Sequence, residues 1–384
     1  MALKQIAMSA WAASCSLLER KESAFLQPEA LPECPFAPTL RVALVKQSSY
    51  CDLYTDPAAQ TAAELLASSI HRTGPIGLFL NFKTQFIIVH PEPAAECRVW
   101  EEKLAYETPG SERAERFPKL RAQQESVAVR AAEVDWSEFD VVIAIENAVP
   151  SVIAQKHPSV LWCTQLEHHR LAPYKNYLRR PPAGYDAFLQ HRYGPNPGSV
   201  LRKTHVIDFP YGLNGIGGLR SIYSDVHKKE RQVMLEDHQD FAQLAPMLVK
   251  KKLRWKQGGE PGGALEAYHR RLASSHILLA PRSNRPLGGL AALDAAALDC
   301  LIIGRRADIW NPFIILPELD ISNPRVAVNL AADLMADHPR YEALLAQQRA
   351  RLNWFGWVRP LRQILELVDQ LPRELSIRGE VAEG

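Results

Sequence analysis

The sequence predicts an α/β fold with parallel sheets, organised as two domains. Three observations support this fold class. Short apolar runs of the kind found in buried parallel strands alternate with helical stretches. The chain has 384 residues, more than one hydrophobic core usually organises. Between Glu266 and Gly304, a helix, a strand, a glycine-containing loop, a helix and a strand follow one another, which is the order expected of a nucleotide-binding half-domain.

The individual elements follow from local composition, with apolar runs as strands and alanine-rich or amphipathic stretches as helices. The predicted strands are Arg41–Lys46, Gly77–Val89, Val141–Ile145, Val160–Cys163, a strand ending at Asp208, Gln232–Leu235, His276–Ala280 and Cys300–Ile303. The predicted helices are Ala58–Ser69, one ending at Gln155, Phe241–Lys251, Leu290–Leu298, Leu330–Asp337, Arg340–Leu352 and Arg359–Leu371. Ala94–Arg130 is predicted to form helices with a loop, and Arg170–Lys203, rich in Pro, Gly, Tyr and Arg, is predicted to be irregular.

The segment after Asp208 is the predicted crossing between the two domains, because its Pro and Gly residues are typical of turns. Its motif GLNGIGGL, at Gly212–Leu219, superficially matches a dinucleotide-binding fingerprint. We expect neither the preceding strand nor the following helix that this fingerprint needs, so a hinge is predicted. The expected domains are 1–212 and 213–372, with a tail at 373–384.

Charge, cysteine content and hydropathy exclude several classes of protein. The formal net charge is +2, from 45 basic and 43 acidic residues, which is far from the basicity of a dedicated nucleic-acid-binding protein. The six cysteines form no CxxC pair, which fits a reducing compartment, and Cys163 and Cys300 are expected to be buried. No run approaches the roughly 20 apolar residues that span a bilayer. We therefore expect a cytoplasmic protein that is not integral to a membrane.

A basic cluster, KKKLRWK at Lys250–Lys256, surrounds Trp255. Such a run is most often the solvated end of a helix, which is the prediction here. The alternative is a peripheral contact with the inner face of a membrane.

The loop of the Glu266–Gly304 segment is the predicted anion site, because it joins a strand to the N-terminus of a helix. The candidate ligands are Arg282, Ser283, Asn284 and Arg285, followed by Gly288 and Gly289. The arginines could bind a monophosphate or a diphosphate.

The same segment resembles the donor site of nucleotide-sugar glycosyltransferases of the GT-B fold. In LLAPRSNRPLGGLAALDAAALDCLIIG, Gly289 and Leu290 match the G-L of the family pattern, and Asp294 with Ala295 matches its second acidic residue and alanine. The resemblance covers roughly 200–372 and is weaker over 40–165. It implies two Rossmann-like domains facing a central cleft, with Asp294 holding the ribose hydroxyls of the nucleotide.

The sequence also departs from this family. Pro286 replaces the first glutamate of the E-x7-E pair that many retaining members have, and Asp294 shortens the second. An ordinary UDP- or GDP-hexose is therefore not implied. Arg282 and Arg285 favour a more anionic donor, such as a CMP-linked ulosonic acid.

Three candidate catalytic residues lie at or after strand ends, where open α/β sheets bind their ligands. Glycosyl transfer needs a base, or a carboxylate nucleophile. Glu146 is a candidate base, or else caps the following helix; Asp208 is a candidate base or nucleophile, or else a turn residue. His168 is the third candidate, since its neighbour His169 would point to the opposite face of a strand. Without HxxxH or DxD motifs, metal-independent catalysis is expected.

The leading hypothesis is a glycosyltransferase that moves a sugar from a nucleotide-sugar to a glycan or lipid-linked saccharide, in cell-surface polysaccharide or lipopolysaccharide synthesis. The nucleotide-sugar is a co-substrate and no cofactor is expected. The alternatives are a nucleotide-sugar epimerase of the same fold and a non-catalytic scaffold. A Rossmann dehydrogenase is disfavoured, because Gln47, Ser48 and Ser49 follow the first strand in place of a glycine fingerprint.

Overall fold

The structure of the protein is a computed structural model. The described residues are 40–48, 82–91, 122–145, 147–165, 183–190, 206–208, 211, 218–236, 238–257, 265–281, 291–306, 314–353 and 359–371.

The first sheet is parallel throughout, and its strands lie between residues 41 and 208. Its strands are β1 Arg41–Gln47, β2 Lys83–Val89, β3 Val141–Ile145, β4 Leu161–Gln165, β5 Ala187–Gln190 and β6 Val206–Asp208. Their order is β2-β1-β3-β4-β5-β6. An isolated parallel bridge between Val89 and Val129 extends the pairing beyond β2.

The second sheet is also parallel and comes from the C-terminal half. Its strands are β7 Gln232–Leu235, β8 Arg254–Gln257, β9 Ile277–Ala280 and β10 Leu301–Gly304. Their order is β10-β9-β7-β8. The two sets of parallel strands confirm the predicted α/β fold class with two Rossmann-like units.

The helices fill the connections and the C-terminal end of the chain. They are α1 Ser151–Ala154, α2 Leu219–Ile222, α3 His238–Lys250, α4 Leu265–Ala273, α5 Ala291–Ala297, α6 Pro324–Ala336, α7 His338–Asn353 and α8 Arg359–Gln370. Residues 122–127 are also helical, and 3-10 turns occur at Ala131–Glu133, Trp136–Glu138 and Pro317–Leu319. The Asn323 side chain caps α6 by accepting hydrogen bonds from the main-chain N–H groups of Arg325 and Val326.

Both faces of the first sheet are covered, as its uninterrupted apolar strands require. On β1, Val42 and Leu44 face a large core, while Ala43 and Val45 face a smaller one. The large core continues into the second sheet and includes its central strands. Helix α8 contacts β6, so the last helix of the chain packs against the first sheet.

Strand β10 lies at one edge of the described second sheet. A buried glutamine side chain makes hydrogen bonds there that a neighbouring strand would otherwise make. Gln348 of α7 accepts a hydrogen bond from the Ile302 N–H at 3.0 Å and donates one to the Cys300 carbonyl at 2.9 Å. Gln348 is fully buried. One side chain therefore satisfies two main-chain groups that an edge strand would otherwise leave unpaired.

The strands predicted for the described residues are confirmed within a few residues, and Cys163 and Cys300 are buried as expected. The longer predicted helices, at Phe241–Lys251, Leu330–Asp337, Arg340–Leu352 and Arg359–Leu371, are likewise present. The predicted helix Ala58–Ser69 lies outside the described residues.

Three predictions are wrong. The segment predicted to be irregular contains β5, whose four residues are too short an apolar run to stand out among Pro, Gly and Arg. The basic cluster is not only a helix end, because Arg254–Gln257 forms β8, with Trp255 partly buried against the core and its charged neighbours exposed. The GLNGIGGL motif follows β6, and its last residue, Leu219, is the first residue of α2, so the motif does have a strand before it and a short helix after it. Its role as a hinge stays a prediction.

Candidate functional site

The ligand-binding edge expected for the second sheet lies between β7 and β9. Strand β8 pairs with one side of β7, while β9 and β10 lie on the other side, so the strand order reverses there. In open parallel sheets, ligands bind outside the carboxyl ends of the strands at such a reversal. Strand β9 ends at Ala280, directly before the predicted anion loop, and α5 begins at Ala291, directly after it.

The loop 282–290 lies outside the described residues. It contains six predicted donor-site residues, which are Arg282, Ser283, Asn284, Arg285, Gly288 and Gly289. Their role in donor binding stays a prediction.

Glu236 is a candidate that sequence reasoning missed. It is the first residue after β7 and therefore stands at the carboxyl edge of the second sheet. Its carboxylate accepts a hydrogen bond at 3.2 Å from the hydroxyl of Tyr268 on α4. Burial, with the negative charge of Glu236, raises the pKa of Tyr268 well above its ordinary value, so the hydroxyl keeps its proton and donates. The available signal was its position, as the first polar residue after an apolar strand.

Asp294, the predicted ribose ligand, lies in a buried polar network. The residue is 3% exposed, and its Oδ1 accepts a hydrogen bond from the Tyr211 hydroxyl at 2.7 Å. Its Oδ2 lies 3.4 Å from Nε2 of His269, which is fully buried on α4. The other ring nitrogen of His269, Nδ1, lies 3.3 Å from the hydroxyl of Tyr223.

The contacts of the network favour one direction of hydrogen bonding. A carboxylate can only accept, so Nε2 of His269 donates to Asp294, and in the neutral tautomer with that proton Nδ1 accepts from the Tyr223 hydroxyl. Burial is the main cause that raises the pKa of Tyr223, which keeps that hydroxyl protonated. The guanidinium of Arg270 lies 5.7 Å from the centre of the Tyr223 ring, as a cation–π contact.

The network joins the segment between the sheets to the helix after the predicted anion loop. Tyr211 follows β6 and precedes α2, whereas Asp294 belongs to α5. The carboxylate of Asp294 is buried, and its described contacts are with Tyr211 and His269. Ribose binding by Asp294 stays a prediction, and what the structure describes is the anchoring of α5.

The strand order of the first sheet reverses between β1 and β3, which defines a second expected ligand-binding edge. Three polar residues at the end of β1 are buried there, namely Lys46, Gln47 and Ser48. The ammonium of Lys46 lies 5.4 Å from the centre of the Phe86 ring, which offsets part of the cost of burying a charge. Polar residues are seldom buried without a structural or binding role.

Asn147 follows the carboxyl end of β3 and adopts a left-handed backbone conformation, with φ of 58°. Its N–H donates to Oγ1 of Thr164 at 3.2 Å, and the Thr164 hydroxyl donates to the Ala144 carbonyl at 2.9 Å. This bond ties the loop after β3 to β4. Among the described atoms, Oδ1 of Asn147 and Nε2 of Gln47 are buried with no hydrogen-bond partner.

The three catalytic candidates are only partly described. Glu146 and His168 lie outside the described residues, although the strand before Glu146 ends at Ile145 on the reversal edge. Asp208 is the last residue of β6, three strands away from β3 in the sheet. With neighbouring strands about 4.8 Å apart, the carboxyl ends of β3 and β6 are roughly 14 Å apart. Catalytic roles for Glu146, His168 and Asp208 stay predictions.

Comparisons with known proteins identify no family. No family model matches the chain, and no curated protein matches its sequence. Among solved structures, UDP-GlcNAc 2-epimerase from Neisseria meningitidis bound to UDP-GlcNAc is a distant match, with 10% sequence identity and a TM-score of 0.40. That match covers 85% of this chain and 100% of the other. A likeness at this level carries no argument about function.

Proposed function

We propose that the protein is a glycosyltransferase that uses a nucleotide-sugar donor and a glycan or lipid-linked saccharide acceptor. The observation that carries the proposal is the position of β9, which lies at the reversal of strand order in the second sheet, where parallel sheets bind nucleotides. Residues 282–290 follow β9 in the sequence and precede α5. The resemblance of this segment to the donor site of GT-B glycosyltransferases supports the same conclusion.

In this proposal, Arg282 and Arg285 bind the donor phosphates, and Ser283 and Asn284 supply further hydrogen bonds. Guanidinium groups pair with phosphate oxygens through two parallel hydrogen bonds, which fixes both position and orientation. Gly288 and Gly289, next to the N-terminus of α5, allow the main chain to approach the donor closely. We further propose that the donor is more anionic than a UDP-hexose, as a CMP-linked ulosonic acid is.

The proposed acceptor side is the carboxyl edge of the first sheet, where one group takes the proton of the attacking hydroxyl. The candidates are Glu146, His168 and Asp208. The carboxyl ends of β3 and β6 are roughly 14 Å apart, so the strand that precedes Glu146 and the strand that carries Asp208 end at separate positions along this edge. We propose that one of the three candidates takes the proton of the attacking hydroxyl.

The proposal is tested by the products formed from UDP-, GDP- and CMP-linked sugars, each with and without saccharide acceptors, using mass spectrometry. Transfer predicts free nucleotide and a glycosylated acceptor, and only when both substrates are present. An epimerase would change the donor sugar without any acceptor. A scaffold would leave every donor intact, which would contradict the proposal.

Matched variants connect the activity to the predicted loop. We expect Arg282→Ala to lower kcat/KM roughly 10- to 100-fold, because a hydrogen bond to a charged group contributes about 1.5–3 kcal/mol. The controls are Arg325→Ala and Arg340→Ala, which remove exposed arginines from α6 and α7. Equal losses in the controls would show that the effect is not specific to the loop.

A further inference from the structure

A basic surface covers the turn between α3 and β8 and the outer face of β8. We call it the basic edge; its six cations are Arg231, Lys250, Lys251, Lys252, Arg254 and Lys256. Five of these side chains are exposed, and Arg231 is partly exposed. Lys252 has a φ of 54°, and this left-handed residue makes the tight turn that leads from the helix into the strand.

Local bonds hold the basic edge in one arrangement. The guanidinium of Arg231 donates to the carbonyls of Lys251 and Lys252, each at 3.3 Å. Along β8, the burial alternates, so Arg254 and Lys256 share the exposed face while Trp255 packs against the large core. The cations are therefore carried on a fixed turn and strand.

The cations of the basic edge lie close together on one surface. In the part of the chain that the structure describes, none of the six forms an ion pair, whereas Arg270 pairs with both Asp225 and Glu266. The whole chain has a net charge of only +2. Six cations on one surface are thus a local concentration of positive charge, which complements an anionic partner.

An anionic lipid surface fits the basic edge better than a nucleic acid. Val249, beside the first lysine of the turn, is 67% exposed, and an apolar side chain among lysines can enter the interfacial region of a bilayer. A binder of single-stranded nucleic acid would instead present an aromatic side chain for stacking, but Trp255 is turned toward the core. Among the described residues, no helix has the length and apolarity needed to cross a membrane.

The geometry points to the basic edge as a docking surface for anionic phospholipid membranes. Arg231 immediately precedes β7 and the lysine turn precedes β8, so most of the surface lies at the amino end of the second sheet. The ligand-binding edge expected for that sheet is at the carboxyl end of its strands. Docking through the basic edge leaves the ligand-binding edge open, and it does not depend on which reaction the protein catalyses.

The test is co-sedimentation of the full chain with phosphatidylcholine vesicles, with and without phosphatidylglycerol. We expect binding only to the anionic vesicles, with release at high salt. The triple variant Lys251→Gln, Arg254→Gln and Lys256→Gln should weaken binding about a hundredfold, since each basic residue near such a surface contributes about fivefold.

The matched control is the triple variant Lys83→Gln, Arg130→Gln and Lys156→Gln. It removes the same number of lysines and arginines from exposed positions in the N-terminal half, and it should bind as the wild type does. Thermal unfolding of both triple variants checks that each is folded. Three results would overturn the proposal: no binding to anionic vesicles, equal weakening in the two variants, or binding to a nucleic-acid oligomer in preference to the vesicles.

Discussion

Substitution of Tyr211 by phenylalanine tests the anchoring of α5 by the segment between the sheets. The change keeps the buried ring and removes only the hydroxyl that donates to Asp294 at 2.7 Å. A hydrogen bond to a charged group contributes about 1.5–3 kcal/mol, and a hydrogen bond between neutral groups about 0.5–1.5 kcal/mol. We therefore expect Tyr211→Phe to lower the free energy of unfolding by about 2 kcal/mol.

Tyr185 provides a matched control within the first sheet unit. It is 5% exposed, and its hydroxyl donates to a neutral acceptor, the Val149 carbonyl, at 2.6 Å. Tyr185→Phe removes the same group from an equally buried ring, and the expected loss is about 1 kcal/mol. Urea unfolding followed by circular dichroism measures both losses. If Tyr185→Phe is as destabilising as Tyr211→Phe, or if Tyr211→Phe has no effect, then the charged acceptor Asp294 does not make the Tyr211 hydrogen bond the stronger of the two.

Three further predictions concern stability. Burial is the main cause that lowers the pKa of His276 from its ordinary 6.5 to about 4. Between these two pH values, the imidazole binds a proton in the unfolded chain but not in the folded protein. The free energy of unfolding should therefore fall as the pH drops from about 6.5 to about 4. In a plot of melting temperature against pH, His276→Gln should flatten the curve over this range. The control His227→Gln, at an exposed position, should leave the curve unchanged. Gln348→Leu should lower the free energy of unfolding by about 2–4 kcal/mol in urea titrations, because two buried main-chain groups lose their hydrogen-bond partner. A loss no larger than that caused by substituting an exposed residue would contradict this prediction. Gly304→Ala should cost about 1–3 kcal/mol in the same assay, since the new Cβ would lie 2.6 Å from the Ala280 carbonyl oxygen, and unchanged stability would contradict that close contact.

The fold could be predicted where local composition decides it. Val141–Ile145 is a continuous apolar run, and such a run can only be a strand buried on both faces or part of a buried helix, with its length favouring the strand. The strand β8 does not stand out in the sequence, because its charged residues are typical of a solvated helix end and its alternation around Trp255 spans four residues. The strand β5 does not stand out either, because four residues carry too little pattern.

The site could be predicted only in outline. The strand before the predicted anion loop and the helix after it could be predicted, and both are present. The loop itself lies outside the described residues. The contact between Tyr211 and Asp294 joins residues 83 positions apart, and no local pattern encodes such a pair. The inward orientation of Asp294 likewise depends on the packing of α5 against α4, which is set by the whole fold.

We propose that the second sheet unit binds the nucleotide of a donor through the loop after β9. The first measurement to make is the thermal stabilisation of the purified protein by UDP, GDP, CMP, ADP and dTDP, since a ligand that binds only the folded state raises the melting temperature. We expect a selective shift with one nucleotide class, largest with CMP, that is lost in Arg282→Ala and kept in Arg325→Ala. No shift with any nucleotide, or an equal shift in Arg282→Ala, would contradict it.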